Sequence, residues 1–158
     1  METLNSVLFP IDGSRHSETA FDWFVEHLYR RGDHVIFVHV HHRLDNVRQL
    51  SGHESDEASE CNEGDLREIL KAAHIKSKPI LSKFEAKCTK ANIPFKALVK
   101  LGAPEKEICR CAAEENVTYV VMGSRGLGVF RRSILGSVST RVLHKSSVPV
   151  MVVPPMDR

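Results

Sequence analysis

Residues 117–143 read VTYVVMGSRGLGVFRRSILGSVSTRVL and combine three patterns in one segment. The first six residues are mostly β-branched, aromatic or otherwise apolar, which is typical of a buried strand. The last seven place Val138, Val142 and Leu143 at helical spacing, and Ser137 stands where a helix N-cap is expected. The residues in between are rich in glycine. The segment therefore predicts a strand and a helix joined by a glycine-rich loop.

This loop has the composition of a phosphate site. Glycines at 123, 126 and 136 let the main chain approach a cluster of oxygens, and the helix N-terminus adds N–H donors and partial positive charge. Two better-known phosphate loops are excluded. No Lys precedes Ser137, as a P-loop requires, and Arg131 occupies the last glycine position of the dinucleotide fingerprint. A purely structural loop is the alternative, but its thirteen residues exceed the usual strand-to-helix connection.

The rest of the chain alternates strand-like and helix-like segments. The predicted strands are Leu4–Ile11, Val35–Val40, Pro94–Leu101, Val117–Met122 and Val148–Val153. Nearly continuous apolar strands alternating with helices predict an α/β fold with a single open five-stranded parallel sheet, covered by helices on both faces. We expect one domain over residues 1–158.

Two segments between these elements carry predictions of their own. Residues 41–64 are polar and acidic, so we expect a flexible loop there. Pro79 interrupts the following helical stripe and lacks an N–H for Ile75, which predicts a kink or two abutting helices.

Composition narrows the classes of partner. The net charge is +2, with 22 basic against 20 acidic residues, so no basic face for nucleic acid is expected. No apolar run reaches the ~18 residues of a membrane helix. The chain begins on a strand-like segment without a leader, which predicts a cytoplasmic protein. The four cysteines lack CxxC spacing, so we expect reduced thiols.

The glycine loop resembles the Gly-x2-Gly-x9-Gly-Ser/Thr signature of the universal stress protein family, in its ATP-binding branch. All fixed positions match, at Gly123, Gly126, Gly136 and Ser137. The similarity continues through residues 7–14, 38–40, 102–104 and 148–154. It implies a Rossmann-like sheet with strand order 3-2-1-4-5, whose binding crevice lies between the first and fourth strands.

The resemblance also implies which residues bind the nucleotide. These are Pro10, Ile11 and Asp12 at the adenine and ribose end, backbone at Val40 beside the adenine, Met122 before the loop, Gly123, Arg125 and Gly126 beside ribose and phosphates, and Gly136, Ser137, Val138 and Ser139 around the phosphates. The implied ligand is ATP, AMP or ADP, with or without Mg²⁺. An alternative role for Asp12 is that of a turn residue, because its carboxylate can accept hydrogen bonds from nearby backbone N–H groups in the Asp-Gly-Ser turn.

Other chemistry has weaker support. His39 and His41 share one face of an extended strand, but no carboxylate or cysteine lies nearby at ligand spacing. We therefore expect ordinary strand histidines and no metal site. Ser14 has no base positioned by the sequence and is more simply the N-cap of the first helix. No catalytic residue is predicted.

The favoured function is a stress-response or regulatory protein that acts as a homodimeric, nucleotide-dependent sensor. The homodimer is expected to form by pairing of the apolar final strand, Val148–Val153, with the same strand of a second copy, an arrangement that resembles dimers of the family. This strand is predicted at a sheet edge, where unpaired N–H and C=O groups would otherwise be exposed. Regulatory protein partners are expected, but the sequence does not name them. A slow ATP hydrolase or phosphotransfer enzyme is one alternative, disfavoured because only Asp12 offers a strand-end carboxylate for a metal. An interaction scaffold without nucleotide is the other, disfavoured because the glycine signature is intact.

Overall fold

The computed structural model describes residues 4–42, 63–124 and 135–156. The strands in these ranges are β1 (Ser6–Pro10), β2 (His34–His41), β3 (Phe95–Leu101), β4 (Tyr119–Gly123) and β5 (Val150–Val153). The helices are α1 (Arg15–His27), α2 (Glu63–Ala91), α3 (Pro104–Glu114) and α4 (Ser137–Lys145).

The five strands form one parallel sheet in the order β3-β2-β1-β4-β5. The chain first adds strands on one side of β1 and then crosses to the other side to form β4. In open parallel sheets a crevice opens at such a reversal, beyond the carboxyl ends of the strands. The predicted fold class and strand order are confirmed, and the order reverses between β1 and β4, where such a crevice is expected.

Helices cover both faces of the sheet, as the alternation of side chains along each strand requires. Along β2, Val35 and Phe37 face the core formed with α1 and α2. Ile36 and Val38 face the opposite core, formed with α3 and α4. Both faces of the central strands are therefore buried, which explains their continuous apolar sequence.

Five phenylalanines form the centre of the core under α1 and α2. They are Phe9, Phe21, Phe24, Phe37 and Phe84, and each is at most 1% exposed. All six ring contacts among them are edge-to-face or tilted, with centroids 5.0 to 6.1 Å apart. This cluster fixes α1 and α2 against β1 and β2, and so positions the segments that leave the carboxyl ends of those strands.

The helix containing Pro79 departs from one of the two predicted outcomes. The structure shows one continuous helix, Glu63–Ala91, so the division into two helices is wrong. Residues on both sides of the proline, including Ser77, Leu81 and Phe84, are buried on the same face. Packing along that face compensates for the backbone hydrogen bond that the proline cannot make.

The two ends of the predicted loop, residues 41–64, belong to regular elements. His41 belongs to β2, while Glu63 and Gly64 belong to α2. Local composition marks these residues as polar, but pairing with β3 and the cooperativity of the helix extend the two elements. Residues 43–62 lie outside the described part of the chain.

The described cysteines agree with the prediction of reduced thiols. Cys88, Cys109 and Cys111 are free. Burial, followed by the charge of Glu85, raises the pKa of the Cys88 thiol to about 12. A thiol with so high a pKa stays protonated and unreactive near neutral pH.

No helix in the described ranges has the length and apolar character needed to cross a membrane.

Candidate functional site

The segment that leaves β1 is fixed to β2 and to the start of α1. The Ile11 N–H donates to the Val38 carbonyl at 2.9 Å. Asp12 Oδ1 accepts from the Ser14 N–H at 3.0 Å, which confirms the turn role of Asp12. Ser14 is the N-cap of α1, as predicted, and its hydroxyl accepts from the Ser17 N–H. Asp12 is thereby held just beyond the carboxyl end of β1.

Two histidines at the end of β2 share one buried serine. His39 Nδ1 lies 2.8 Å and His41 Nε2 lies 2.7 Å from Ser77 Oγ. The Ser77 hydroxyl itself donates to the Ala73 carbonyl at 2.8 Å. Since a serine hydroxyl has one hydrogen, both imidazole N–H groups must donate to its oxygen, which fixes the tautomer of each ring. The histidines therefore link β2 to α2.

Burial also sets the charge of His39. The pKa of His39 is lowered to about 4, first by burial and then by the nearby His41, while Asp12 acts in the opposite direction. His39 is therefore neutral near pH 7. Among the described residues, no group of three or more His, Cys, Asp or Glu side chains is arranged to hold a metal ion.

Val40 lies on the opposite face of β2 and packs against the core formed with α3 and α4.

Gly123 ends β4 where the first turn of α1 approaches it closely. A Cβ at this position would lie 2.8 Å from the His16 carbonyl oxygen, too close for any side chain. The preceding residue, Met122, is buried in the core formed with α3 and α4. Packing alone therefore gives a reason for the first glycine of the signature, independent of any ligand.

The N-terminus of α4 lies against the end of β4. The Gly136 N–H donates to the Ser124 carbonyl at 2.7 Å, and the Ser139 hydroxyl donates to the Gly123 carbonyl at 3.0 Å. No side chain caps the helix at Gly136. Ser137 is exposed and Val138 is half-buried. Helix amides that lack a side-chain cap, next to a strand-end crevice, form a favourable place for an anion.

The N-cap of α4 differs from the predicted one. Gly136 is the N-cap, with extended backbone at φ −58° and ψ 152°, and Ser137 is the first helical residue. The prediction of Ser137 as the cap is wrong, because serine preference alone cannot fix a boundary to one residue. The shift leaves the Ser137 hydroxyl available on the surface of the first turn.

The structure brings most of the predicted site residues to one end of the sheet. Pro10, Ile11 and Asp12 follow β1, Val40 lies near the end of β2, Met122 and Gly123 end β4, and Gly136, Ser137, Val138 and Ser139 begin α4. Arg125 and Gly126 lie outside the described residues.

Two features of this region were not foreseen. Ser77 comes from mid-helix and carries no signal that would connect it with the two histidines. Ser124 occupies a variable position of the signature, yet its backbone connects β4 to both β5 and α4.

A cavity of about 510 Å³ opens at the other end of the sheet. Its lining comes from the residues at or just before the starts of β1, β4 and β5 and from the segment that follows α1: Asn5, Leu28, Arg30, Thr118, Tyr119, Pro149, Val150 and Met151. These positions are at the amino ends of the strands, so this cavity is separate from the candidate site.

Comparison with known proteins agrees with this architecture. The universal stress protein family model matches residues 3–154. The chain belongs to the universal stress protein family. One member, universal stress protein YxiE of Bacillus subtilis, is 28% identical over 156 residues, covering 94% of this chain and 98% of its own length. Universal stress protein MJ0577 of Methanocaldococcus jannaschii is 26% identical over 153 residues, covering 93% of both chains.

Solved structures of universal stress proteins share the fold. The MJ0577 structure has a TM-score of 0.75 at 24% identity and covers 98% of both chains. An Arabidopsis thaliana family member, solved with AMP bound, has a TM-score of 0.65 at 22% identity, covering 94% of this chain and 90% of its own. A universal stress protein in complex with cAMP has a TM-score of 0.59 at 19% identity, covering 97% and 98%. At these identities the likeness establishes the fold alone.

Proposed function

We propose that this protein binds an adenine nucleotide, ATP, AMP or ADP, at the crevice between β1 and β4 and acts as a nucleotide-dependent regulator in the stress response. One observation carries the proposal. The N-terminus of α4 has no side-chain cap and is held against the end of β4 by two hydrogen bonds, Gly136 to Ser124 and Ser139 to Gly123. The AMP and cAMP bound by two family members support the choice of an adenine ligand.

The charges at the crevice suggest how the ligand is oriented. The α4 N-terminus favours negative charge, so the phosphates lie there, near Gly136, Ser137 and Val138. Asp12 carries a carboxylate on the β1 side, where it repels phosphate but accepts hydrogen bonds from ribose hydroxyls or the adenine amine. The adenine then lies toward β2, beside the backbone of Val40. By family resemblance, Arg125 and Gly126 complete the phosphate end, with or without Mg²⁺.

Nucleotide is expected to stabilise the protein against unfolding. A ligand at 100 times its dissociation constant adds about 2.7 kcal/mol, which raises the Tm of a chain of this size by roughly 5–10 °C. Gly136→Val is expected to abolish this increase, because its side chain blocks the approach of phosphate. The variant should still fold, since a φ of −58° is open to any residue. Thermal unfolding with and without ATP and AMP measures both effects.

Ala103→Val provides the matched control. Ala103 is the N-cap of α3 and, like Gly136, has no side-chain cap hydrogen bond. Its variant should keep the full nucleotide effect. A wild-type protein that shows no increase with millimolar ATP or AMP and carries no copurified nucleotide would refute the proposal. Magnesium-dependent ATP turnover near ~10 per second, lost in Asp12→Asn, would favour the hydrolase alternative.

We further propose that β5 forms the contact of a homodimer. β5 is an edge strand, and the apolar side chains of Val150, Met151 and Val152 remain partly exposed on it. An uncovered apolar edge invites uncontrolled pairing. Antiparallel pairing of Val148–Val153 with the same strand of a second copy closes that edge through a self-complementary contact.

Val152→Asp is expected to weaken this dimer at least about tenfold by placing a carboxylate in the joint. Light scattering over a dilution series measures the change. Leu98→Asp is the matched control, because Leu98 lies on the opposite edge strand and packs against the same core as Val152. It should lower stability similarly and leave dimerisation intact. A monomeric wild type at tens of micromolar, or an unaffected Val152→Asp dimer, would exclude β5 as the interface.

A further inference from the structure

One buried hydroxyl at the candidate site has no hydrogen-bond partner. Among the buried side-chain oxygens and nitrogens of the described residues, Ser124 Oγ alone is unpaired. A shielded hydroxyl without a partner destabilises a folded protein, and such atoms are rare enough to require a specific explanation. Unsatisfied groups tend to persist where function needs them.

The backbone of Ser124 is held on two sides. Its N–H donates to the Val153 carbonyl at 3.0 Å, and its carbonyl accepts from the Gly136 N–H at 2.7 Å. The first bond continues the pairing of β4 with β5 by one step, so Ser124 keeps the alternation of the strand. Val120 and Met122 face the core formed with α3 and α4, and Ser124 is the next residue on that side. Its hydroxyl therefore belongs to the face of the sheet where α4 begins.

The start of α4, on the same face of the sheet, presents hydrogen-bond donors. The first amides of α4 point away from the helix as donors. The neighbouring hydroxyl of Ser139 is already bonded to the Gly123 carbonyl. A site assembled from N–H and O–H donors fits a ligand group made of oxygen acceptors with negative charge.

We propose that Ser124 is a specificity residue whose hydroxyl donates to a phosphate oxygen of the ligand at the α4 N-terminus, and so distinguishes a nucleotide from a nucleoside. The inference rests on the proposed function and adds to it the group that Ser124 recognises, a phosphate oxygen of the nucleotide. No hydrogen bond holds Oγ in its present position, and Ser124 as a whole is only partly buried. Rotation about the Cα–Cβ bond to another staggered rotamer therefore breaks no hydrogen bond, so the hydroxyl is free to reorient when a phosphate oxygen binds.

Ser124→Ala tests the proposal because it should affect the stability of the free protein and its affinity for nucleotide in opposite directions. The free variant should be at least as stable as the wild type, because the substitution removes an unsatisfied buried hydroxyl. Its affinity for ATP and AMP should fall about 10- to 100-fold, as expected for loss of a hydrogen bond to a charged group. Its affinity for adenosine should not change. Titration calorimetry with ATP, AMP, adenosine and pyrophosphate, together with thermal unfolding, measures all of these.

Ser146→Ala serves as the control. Ser146 Oγ donates to the Val148 carbonyl and accepts from the Val148 N–H, so this variant should lose stability and keep every affinity. Equal binding of ATP and AMP by Ser124→Ala and wild type overturns the inference and leaves the proposed function standing. An equal loss for adenosine also overturns it. If the wild type binds pyrophosphate but no nucleotide, the proposed function fails. In that case, weaker pyrophosphate binding by Ser124→Ala supports a phosphate contact of Ser124, and unchanged binding overturns it. A wild type that binds none of these ligands overturns both.

Discussion

Phe37→Ala is expected to lower the free energy of unfolding by about 3–5 kcal/mol, which corresponds to a fall in Tm of roughly 10 °C. Phe37 is fully buried, and its ring centroid lies 5.2 Å from those of Phe21 and Phe84 and 6.1 Å from that of Phe9. These partners come from α1, α2 and β1. A cavity here cannot be closed by one side chain, because the surrounding rings are fixed by three different elements.

Phe37→Leu is the control for this prediction, since it keeps most of the buried volume and should cost less than about 1.5 kcal/mol. Urea unfolding of the three proteins, compared at equal m-values, gives the differences. A loss below about 1 kcal/mol for the alanine variant would mean that the phenylalanine cluster is not the centre of the core.

The second large effect is expected with acid. Burial, and then the charge of His41, lowers the pKa of His39 to about 4, against 6.5 in the unfolded chain. Between these two pH values His39 binds a proton in the unfolded chain but remains neutral in the folded protein. Stability is therefore complete above pH 6.5 and falls toward pH 4, by at most about 3 kcal/mol from this group.

His39→Asn isolates this contribution, because its amide N–H stands in for Nδ1–H as a donor to Ser77 and does not titrate. The other titrating groups are present in both proteins, so the difference between their unfolding free energies reports His39 together with its coupling to His41 and Asp12. Chemical unfolding at intervals from pH 7 to 4 should show the wild type losing more stability than the variant. Parallel curves would show that His39 is not protected from protonation in the fold.

Much of the fold could be predicted because the relevant signals are local. Strands such as β2 were evident from continuous apolar, β-branched residues, and α1 from the helical spacing of Phe21 and Phe24. The Ser14 cap and the Asp12 turn were also predicted, since each depends on residues within three positions of one another. The strand order came from the family resemblance carried by the glycine signature.

The predictions failed where local preference competes with packing. Pro79 is a helix breaker by itself, yet α2 continues through it because residues on both sides bury the same face. Ser137 is a favoured cap, yet the backbone of Gly136 takes that position. Packing decided the first case, and in the second a residue preference alone does not fix a helix boundary to one position.

The sequence by itself determined the alternation of strands and helices and the spacing of glycine and serine that indicates a phosphate site, because periodicity and turn chemistry act over a few residues. Only the tertiary structure placed Ser77 between His39 and His41, although it is 38 residues from the first of them. Only the tertiary structure brought the His16 carbonyl against Gly123 and left Ser124 Oγ without a partner. Such relations depend on distances between segments remote along the chain, and these distances are fixed only when the sheet and helices pack together.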